Sequence, residues 1–537
     1  MRITNGIINN NQLYNINNNK VYIDELNNQM STQKKINNPS DDPIVAIRSL
    51  RLRSSLSEIT QYYTKNVPDA LSWVDTTGTA LDTTKEILRK LKSEYTSAAN
   101  DTNTVSDRQI ILTELKSLSI QFYTTGNATN EDRYLFTGYR TGDSLTFTKE
   151  DLEERQNLND EGKFKYQDIT ENFGIDNVEQ YSFITGAVTN SEITDYKSIG
   201  DTDNETRVVN NSVYRLRMAY NNIDADSSGR TAALNFTYTD ADGNLQKEAL
   251  SGVTIVELPN SAADDETELT TAEIEELNAG TKIFFNKATG NVIFGSKIRE
   301  EISRREALTP SQALTVTYDK STWNVGDLKP EHYFHCDEVG GGKNGESKTI
   351  EYRDYHQEIQ FTVATGQQVT INTNASDVFL HSVGRDIEEL ELAIEGVNIA
   401  QSKVDRLKSM REDKVTYGVE GSEEQEKIQL LLSAAEKELD YATQKMTTLF
   451  SNGVTKATDY YDKANFAGTA TGTTESRLNI IRNRLSENQT TVKTQASDNE
   501  NVEISDVMVE VSAAQLAYNA ALIATGKISQ QSLVNYI

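Results

Sequence analysis

Ile504-Ser-Asp-Val-Met-Val-Glu-Val-Ser-Ala-Ala-Gln-Leu-Ala-Tyr-Asn-Ala-Ala-Leu-Ile-Ala-Thr-Gly-Lys-Ile528 stands near the end of the chain, and the rest is read outward from it. Ile504, Val507, Val511, Ala514, Tyr518, Ala521 and Ile528 fall on alternating steps of three and four residues, with Thr525 the only break. That is the heptad of a coiled coil. The first thirty residues carry a complementary signal: Ile16, Ile23 and Met30 are seven apart, and Leu13 and Leu26 fill alternate positions. A helix with an apolar seam at each end predicts that the two ends meet, with seams left partly open until other copies arrive. The seam from Ile504 to Ile528 spans roughly 37 Å at 1.5 Å per residue, so an elongated molecule is expected. The pattern is that of a polymer subunit rather than an enzyme.

The 537 residues suffice for several cores. A net charge of −28 argues against nucleic acid and against an anionic membrane surface as partners. Cys336 is the one cysteine, so an internal disulfide is excluded. Met1-Arg-Ile-Thr-Asn5 opens without an apolar stretch of signal-peptide length, and no uninterrupted run of eighteen apolar residues occurs; neither a cleavable signal nor a membrane span is expected. The six prolines are Pro39, Pro43, Pro68, Pro259, Pro310 and Pro330, which leaves room for long helices toward both ends.

Three zones follow. Residues 1–138 are helical in pattern, with one seam through Leu81, Thr84, Leu88, Leu91, Tyr95 and Ala98 and the next through Ile111, Leu115, Leu118 and Phe122. Residues 139–380 lose that period. Leu234-Asn-Phe-Thr-Tyr-Thr239 before Asp240-Ala-Asp-Gly-Asn244 reads as a strand entering a hairpin, and Val253–Val256, Lys282–Phe285, Val292–Phe294, Leu314–Tyr318 and Ile359–Val363 read as further strands. This zone holds 42 Asp plus Glu against 22 Lys plus Arg, a balance of −20, which suits a solvent-facing β-rich insert. Residues 381–537 return to helix, with seams through Ile387, Leu390, Ile394, Val397, Val404 and Leu407 and through Ile428, Leu432, Ala435, Leu439, Ala442, Met446 and Leu449; residues 494–501 are expected to form a hinge. The fold class is therefore α+β: terminal helices paired in a coiled-coil or antiparallel bundle around a central β-rich insert. The expected domains are 1–40 with 500–537 as a terminal coil, 41–138 with 381–499 as a helical bundle, and 139–380 as a variable outer insert with room for two subdomains. A linker in place of the insert is expected to leave the bundle intact.

Arg2-Ile-Thr-Asn5, Met30-Ser-Thr-Gln-Lys-Lys-Ile-Asn-Asn-Pro39-Ser40-Asp41-Asp42-Pro43, Arg48-Ser-Leu-Arg-Leu-Arg-Ser54, Ala70-Leu-Ser-Trp-Val-Asp75, Arg133-Tyr-Leu-Phe-Thr-Gly138 and Lys527-Ile-Ser-Gln-Gln-Ser-Leu-Val-Asn-Tyr-Ile537 together resemble the flagellin superfamily. The resemblance covers about 1–138 and 381–537. Pro39 and Pro43 around Ser40, Asp41 and Asp42 resemble the branch that joins hook to filament, where filament subunits tend to follow the Asp pair with alanine and glycine. Gln33 stands where the family usually has glycine. The resemblance implies a structural ring of identical subunits. Its neighbours would be the preceding hook-associated protein (FlgK-type) on one side and flagellin on the other. The family leaves the cell unfolded through the flagellar type III export apparatus with an export chaperone, and it needs no cofactor. Flagellin, the filament subunit itself, is the alternative within the superfamily, and an adhesin or enzyme displayed by the insert is the alternative outside it.

Other motifs each have a plainer reading beside the functional one. Pro39–Pro43 breaks the helix, and Ser40 or Asp41 could cap the next one. Arg48, Arg51 and Arg53 are solvated, or pair with acids of a neighbouring subunit. His332, His335 and Cys336, with His356 or Asp337 as a fourth ligand, form a loop cluster more readily than a zinc site. Gly340-Gly-Gly-Lys343 lacks the Gly-Lys-Ser/Thr of a phosphate loop, and Asp240–Asn244 lacks the spacing of a calcium loop. None of the histidines, at 332, 335, 356 and 381, fits a His-Glu-x-x-His site, and no nucleophile and base stand in recognisable spacing, so no catalytic, cofactor or metal residues are assigned.

Overall fold

The computed structural model describes residues 5–100, 102–157, 164–200, 205–224, 232–239, 245–249, 252–258, 271–306, 314–340, 349–354 and 356–531. In chain order its helices are α1 (Asn5–Thr32), α2 (Pro43–Gln61), α3 (Val67–Ala98), α4 (Val105–Thr125), α5 (Lys149–Asn157), α6 (Asn190–Thr194), α7 (Thr271–Asn278), α8 (Ser296–Glu306), α9 (Ala375–Val378), α10 (His381–Glu412), α11 (Glu423–Glu500) and α12 (Ile504–Gln531). The strands are β1 (Thr129–Asn130), β2 (Arg133–Tyr134), β3 (Lys165–Phe173), β4 (Glu179–Thr185), β5 (Val209–Arg217), β6 (Ala233–Thr239), β7 (Leu245–Ala249), β8 (Thr254–Leu258), β9 (Lys282–Asn286), β10 (Asn291–Phe294), β11 (Leu314–Lys320), β12 (His335–Val339), β13 (Thr349–Tyr352), β14 (Gln360–Ala364) and β15 (Gln367–Thr370). The class is α+β, with helices at both ends and the sheets between them. The chain divides into two compact units, one of residues Met1–Leu71, Gln360–Val369 and Glu475–Ile537, the other of Ser72–Ile359 and Thr370–Thr474.

In the first unit, α2 starts where the sequence forces it to. Pro43 occupies the first helical position, where its missing N–H costs nothing. The cap is Asp42 rather than Ser40 or Asp41: its carboxylate accepts from the Ile44 and Val45 N–H groups at 2.9 and 3.1 Å. Asp41 instead accepts from Asn37 and Asn38 and closes the preceding turn. One wide helical turn, Tyr62–Asn66, ends α2, with the Val67 N–H reaching back to the Tyr62 carbonyl. The β14–β15 hairpin is fastened beside it by Asn66 Nδ2 on the Thr362 carbonyl (2.8 Å) and by Thr365 on Glu58 (2.7 Å). The expected hinge at 494–501 is displaced. Residues 494–500 contain neither proline nor glycine, so α11 runs on to Glu500 and the chain breaks only at 501–503.

In the second unit the helical parts of α3, α4, α10 and α11 bury the stripes read from the sequence. Leu81, Leu88, Leu91, Tyr95, Leu115, Phe122, Ile387, Leu390, Val397, Ile428 and Met446 are all buried. Gly453 has a reason to be glycine, because a Cβ there would lie 2.3 Å from the Tyr95 ring. Helix was expected to persist to 138, but α4 stops at Thr125 and the next residues form the β1–β2 ladder. Its two turn residues, Glu131 and Asp132, both have positive φ, the backbone of a tight two-residue hairpin.

The insert is a sandwich of two sheets. One has the order β4-β5-β10-β9-β8 and the other β13-β12-β3-β11-β6-β7; the pairs are antiparallel except β8–β9. Between them lie Phe147, Tyr166, Leu216, Phe285, Phe294, Val316, Trp323 and Cys336. Strands β6, β8, β9, β10, β11 and β14 fall on the expected runs; the hairpin turn at Asp240–Asn244 and residues 341–343 lie outside the described residues. β5 escaped notice because Arg215 and Arg217 break its apolar pattern. Arg215 and Arg217 are both enclosed in an ion network formed by β4, α10 and α11. Arg215 bonds Glu179 and Glu389 at 2.7 Å, and Arg217 bonds Glu389 at 3.1 Å and pairs with Asp386. Lys456 bonds Glu179 (2.8 Å) and Asp386 (2.9 Å), and the Tyr460 hydroxyl donates to Asp386 at 2.5 Å. Excising the insert would take both guanidinium groups from the buried Glu389 and leave Asp386 with Lys456 and Tyr460, so a linker in its place should cost the second unit about 3–5 kcal/mol.

Glu171 on β3 is fully enclosed, accepting from the Ala219 N–H at 3.0 Å and from the Tyr318 hydroxyl. Burial pushes its carboxyl up to about 7, against the pull of the Tyr318 hydrogen bond. A carboxyl that holds its proton more tightly folded than unfolded gives stability that is complete below about pH 4 and lost as pH rises toward 7. Glu171→Gln should remove that slope. Calorimetric scans of the variant and the parent should agree at pH 4.5 and differ by about 2–3 kcal/mol in favour of the variant at pH 8.

Candidate functional site

The terminal helices lie antiparallel. Tyr22 donates to Glu510 (3.4 Å), Leu26 packs with Val507, Val511 and Ala514, and the backbones of Gln33 and Lys35 meet those of Val502 and Glu500. Of the expected seam, Ile16, Leu26, Val507, Val511 and Ala514 are buried, and Ile23, Tyr518 and Ala521 are half-buried. Leu13, Met30 and Ile504 are not covered. Leu13 precedes Leu26 by thirteen residues rather than fourteen, so it rolls off the stripe. Met30 lies in the last turn of α1, just before the Gln33 carbonyl meets the Val502 N–H. The side chain of Ile528 lies outside the described residues.

A second stripe was missed. Val509, Ala513, Leu516, Ala520 and Ile523 repeat the four-three spacing two residues out of phase with the first, and all five face solvent; Val509, Leu516 and Ile523 are 68%, 72% and 62% exposed. On α1, Ile7, Tyr14 and Val21 form a matching outward row, also exposed. The same heptad arithmetic, run from Val509, would have found it. Ile504–Lys527 is also long and apolar enough, by length and composition, to cross a membrane. Single polar residues interrupt this segment, so it holds no unbroken apolar run although it is apolar on average.

Glu500 ties the pair to α2. Its carboxylate accepts from Arg53 (2.5 and 2.6 Å), Lys34 (3.2 Å) and the Ser49 hydroxyl. Arg53 thus has its partner within the chain rather than on a neighbour. Arg48 and Arg51 are exposed, with no ion-pair partner among the described residues. The Arg53 hydrogen bond, with Ser49 and Lys34, draws the Glu500 carboxyl down to about 2. Gln33 adopts φ +58°, the left-handed backbone that glycine takes without cost, at the point where its carbonyl accepts the Val502 N–H.

The remaining candidates are elements of structure. Cys336 sits in the sandwich core, and burial raises its thiol pKa. His332 is buried against the Ser144 carbonyl, and burial lowers it to about 3. Among the described residues no three His, Cys, Asp or Glu side chains converge as a metal site.

Two expectations follow for this pair. Gln33→Gly should stabilise the first unit by roughly 0.5–1 kcal/mol and Gln33→Val should weaken it by about 1–2 kcal/mol, read as slower and faster amide exchange at Val502. Because Glu500 is depressed, its contribution is complete above about pH 4.3 and lost as pH falls through about 2. Exchange protection over residues 503–515 should hold at pH 4.5 and fall below pH 3, whereas Glu500→Ala should show the loss already at pH 7.

A family model for the bacterial flagellin N-terminal helical region matches residues 3–141. Flagellar hook-associated protein 3 of Salmonella typhimurium is 32% identical over 148 residues, which is 26% of this chain and 44% of that protein. A flagellin of Clostridium tyrobutyricum is 29% identical over 129 residues, 24% of this chain and 34% of that one. The chain thus spans less than half the length of these curated relatives. The crystal structure of FlgL from Xanthomonas campestris superposes with a TM-score of 0.26 at 11% identity, covering 83% of this chain and 99% of that one. The chain thus carries, at residues 3–141, a stretch that matches the bacterial flagellin N-terminal helical region, and it is similar over about a quarter of its length to flagellar hook-associated protein 3 and to a flagellin.

Proposed function

We propose that this chain is a structural subunit of the bacterial flagellum that joins hook to filament, and that copies associate side by side through their terminal helices into a ring. The second, uncovered heptad on α12 carries the reading. One face of the helix is engaged by α1, and the opposite face offers Val509, Leu516 and Ile523 to another helix. Each such side chain removed from water contributes roughly 1.5–3 kcal/mol. The similarity to hook-associated protein 3 supports the junction, with a FlgK-type protein before it and flagellin after it. Export through the type III apparatus, with a chaperone covering the seams, and an extracellular location accord with this reading. The match to a flagellin keeps the filament subunit as the second reading. Gold labelling of intact flagella separates the two, by marking either one junction or the filament's length.

Leu516→Asp tests the seam. The variant should keep its helical content and leave the cell, yet fail to retain filaments, because a charge in a desolvated seam costs several kcal/mol. Normal filament length and swimming in that strain would remove α12 from the interface.

A further inference from the structure

β4 lies at the open edge of its sheet, paired with β5 on one side only. Between that edge and the middle of α11 runs a cleft of about 520 Å³. Its size falls within the roughly 300–1,000 Å³ of small-ligand sites. An edge strand carries backbone N–H and C=O groups that point away from its one partner. Gln180, Tyr181 and Ser182 of β4 line the cleft, so it is this edge that the cleft borders.

The facing wall is polar and uncharged. Gln444, Thr448, Asn452 and Thr455 recur along α11 at steps of four, four and three, and all four are exposed. The row is roughly 17 Å long at 1.5 Å per residue. Further along the same helix Thr458, Thr469, Thr471 and Thr473 each donate to the carbonyl four residues back. Thr448 and Thr455 do not. Neither they nor Gln444 and Asn452 have a side-chain hydrogen-bond partner among the described residues. Tyr441, half-buried, adds an aromatic ring to the same wall.

The charged groups of the floor are matched already. Arg215 bonds Glu179 and Glu389, and Lys456 bonds Glu179 and Asp386. The Arg215 guanidinium and the Lys445 ammonium lie over the Tyr181 ring at 4.5 and 4.7 Å. With Asp386 behind Lys456, three bases thus meet three acids. An ionic ligand would have to disturb that balance, and an apolar one would strip water from the wall's amides and hydroxyls without replacing its hydrogen bonds. A ligand rich in hydroxyls does neither, because hydroxyl and amide groups both donate and accept.

We propose that this cleft binds a neutral oligosaccharide of two or three sugar rings. Its hydroxyls bond Thr448, Asn452 and Thr455 on one side and Gln180 and Ser182 on the other, and the apolar face of one ring rests on Tyr441. The site lies wholly within the second unit and does not rest on the ring assembly proposed above.

Saturation-transfer NMR on the full-length protein tests it, with chitotriose, maltotriose, cellotriose and mannotriose as probes. At least one should give a saturable signal with a Kd of about 1 mM or tighter. Thr448→Ala with Asn452→Ala should weaken that binding about tenfold, and Gln180→Ala with Ser182→Ala should do so from the opposite wall, each with unchanged helical content by circular dichroism. Ser451→Ala, exposed on the same helix but outside the cleft, should bind as the parent does. The proposal is overturned if none of the four sugars gives a saturable signal, or if both double variants bind like the parent. Tighter binding of sialyllactose than of lactose would mean an anion site and would also overturn it. So would a signal from a hexapeptide of alternating valine and threonine with none from the sugars, which would mean strand addition to β4.

Discussion

Closure of the chain's two ends upon each other is the constraint on which the rest depends. Leu26 against Val507, Val511 and Ala514 brings residues nearly five hundred positions apart into one small core. Closing so long a loop is entropically costly, but the cost grows only logarithmically with length. The segment in between can therefore gain or lose residues without greatly altering that balance. The apolar contact alone is small, and Glu500 reinforces it. By accepting from Lys34, Ser49 and Arg53 together, one carboxylate fastens the end of α11 to the residues just after α1 and to α2. Three donors on one buried acceptor make that junction intolerant of loss.

A different bond holds the insert in the second unit. The sandwich has its own aromatic core around Phe147, Trp323 and Tyr166. Its β4-β5-β10-β9-β8 sheet is tied to α10 and α11 through paired guanidinium, ammonium and carboxylate groups. Such networks often contribute little net stability, since desolvation offsets much of the attraction. What they supply is geometry: Arg215 and Arg217, each bonded to Glu389, permit one register between strand and helix. Val188, Ile193 and Tyr196 extend the same attachment with an apolar cluster against Val404, Leu407 and Ile428.

Much of the helical architecture was legible because its information is local and periodic. The stripes through Leu81–Ala98 and Ile387–Leu407 could be counted directly, and each is buried in the fold. The Asp-Asp-Pro signal located the start of α2 to within a residue, and only the choice of capping aspartate waited on the hydrogen bonds. What stayed hidden depended on distant partners. β5 did not look like a strand because Arg215 and Arg217 are neutralised largely by Glu389 and Asp386, 174 and 169 positions away. The polar run 494–500 did not look like helix because its stability comes from Glu500's contacts with α2. At the candidate site, the seam toward α1 is legible as a heptad counted from Ile504. Its companion through Val509 and Leu516 was equally periodic and was passed over. Gln33 departs from the family's glycine, yet the fold asks it for the backbone that glycine would supply.

A helix with apolar rows on two opposite faces has few stable homes in water. α12 is long and apolar enough to enter a bilayer, but Asp506 and Glu510 sit in its first turns, and Glu510 already accepts from Tyr22 on α1. Burying those carboxylates in hydrocarbon would cost far more than burying them beside a donor. Protein neighbours therefore suit the helix better than lipid: one face is taken by the chain's own α1, and the other stays exposed, the face we propose for a neighbouring copy. An uncovered row of this kind favours association and also invites unwanted contacts. On the assembly proposed above, the same physical feature would favour association and would call for the row to be covered until neighbours are in place.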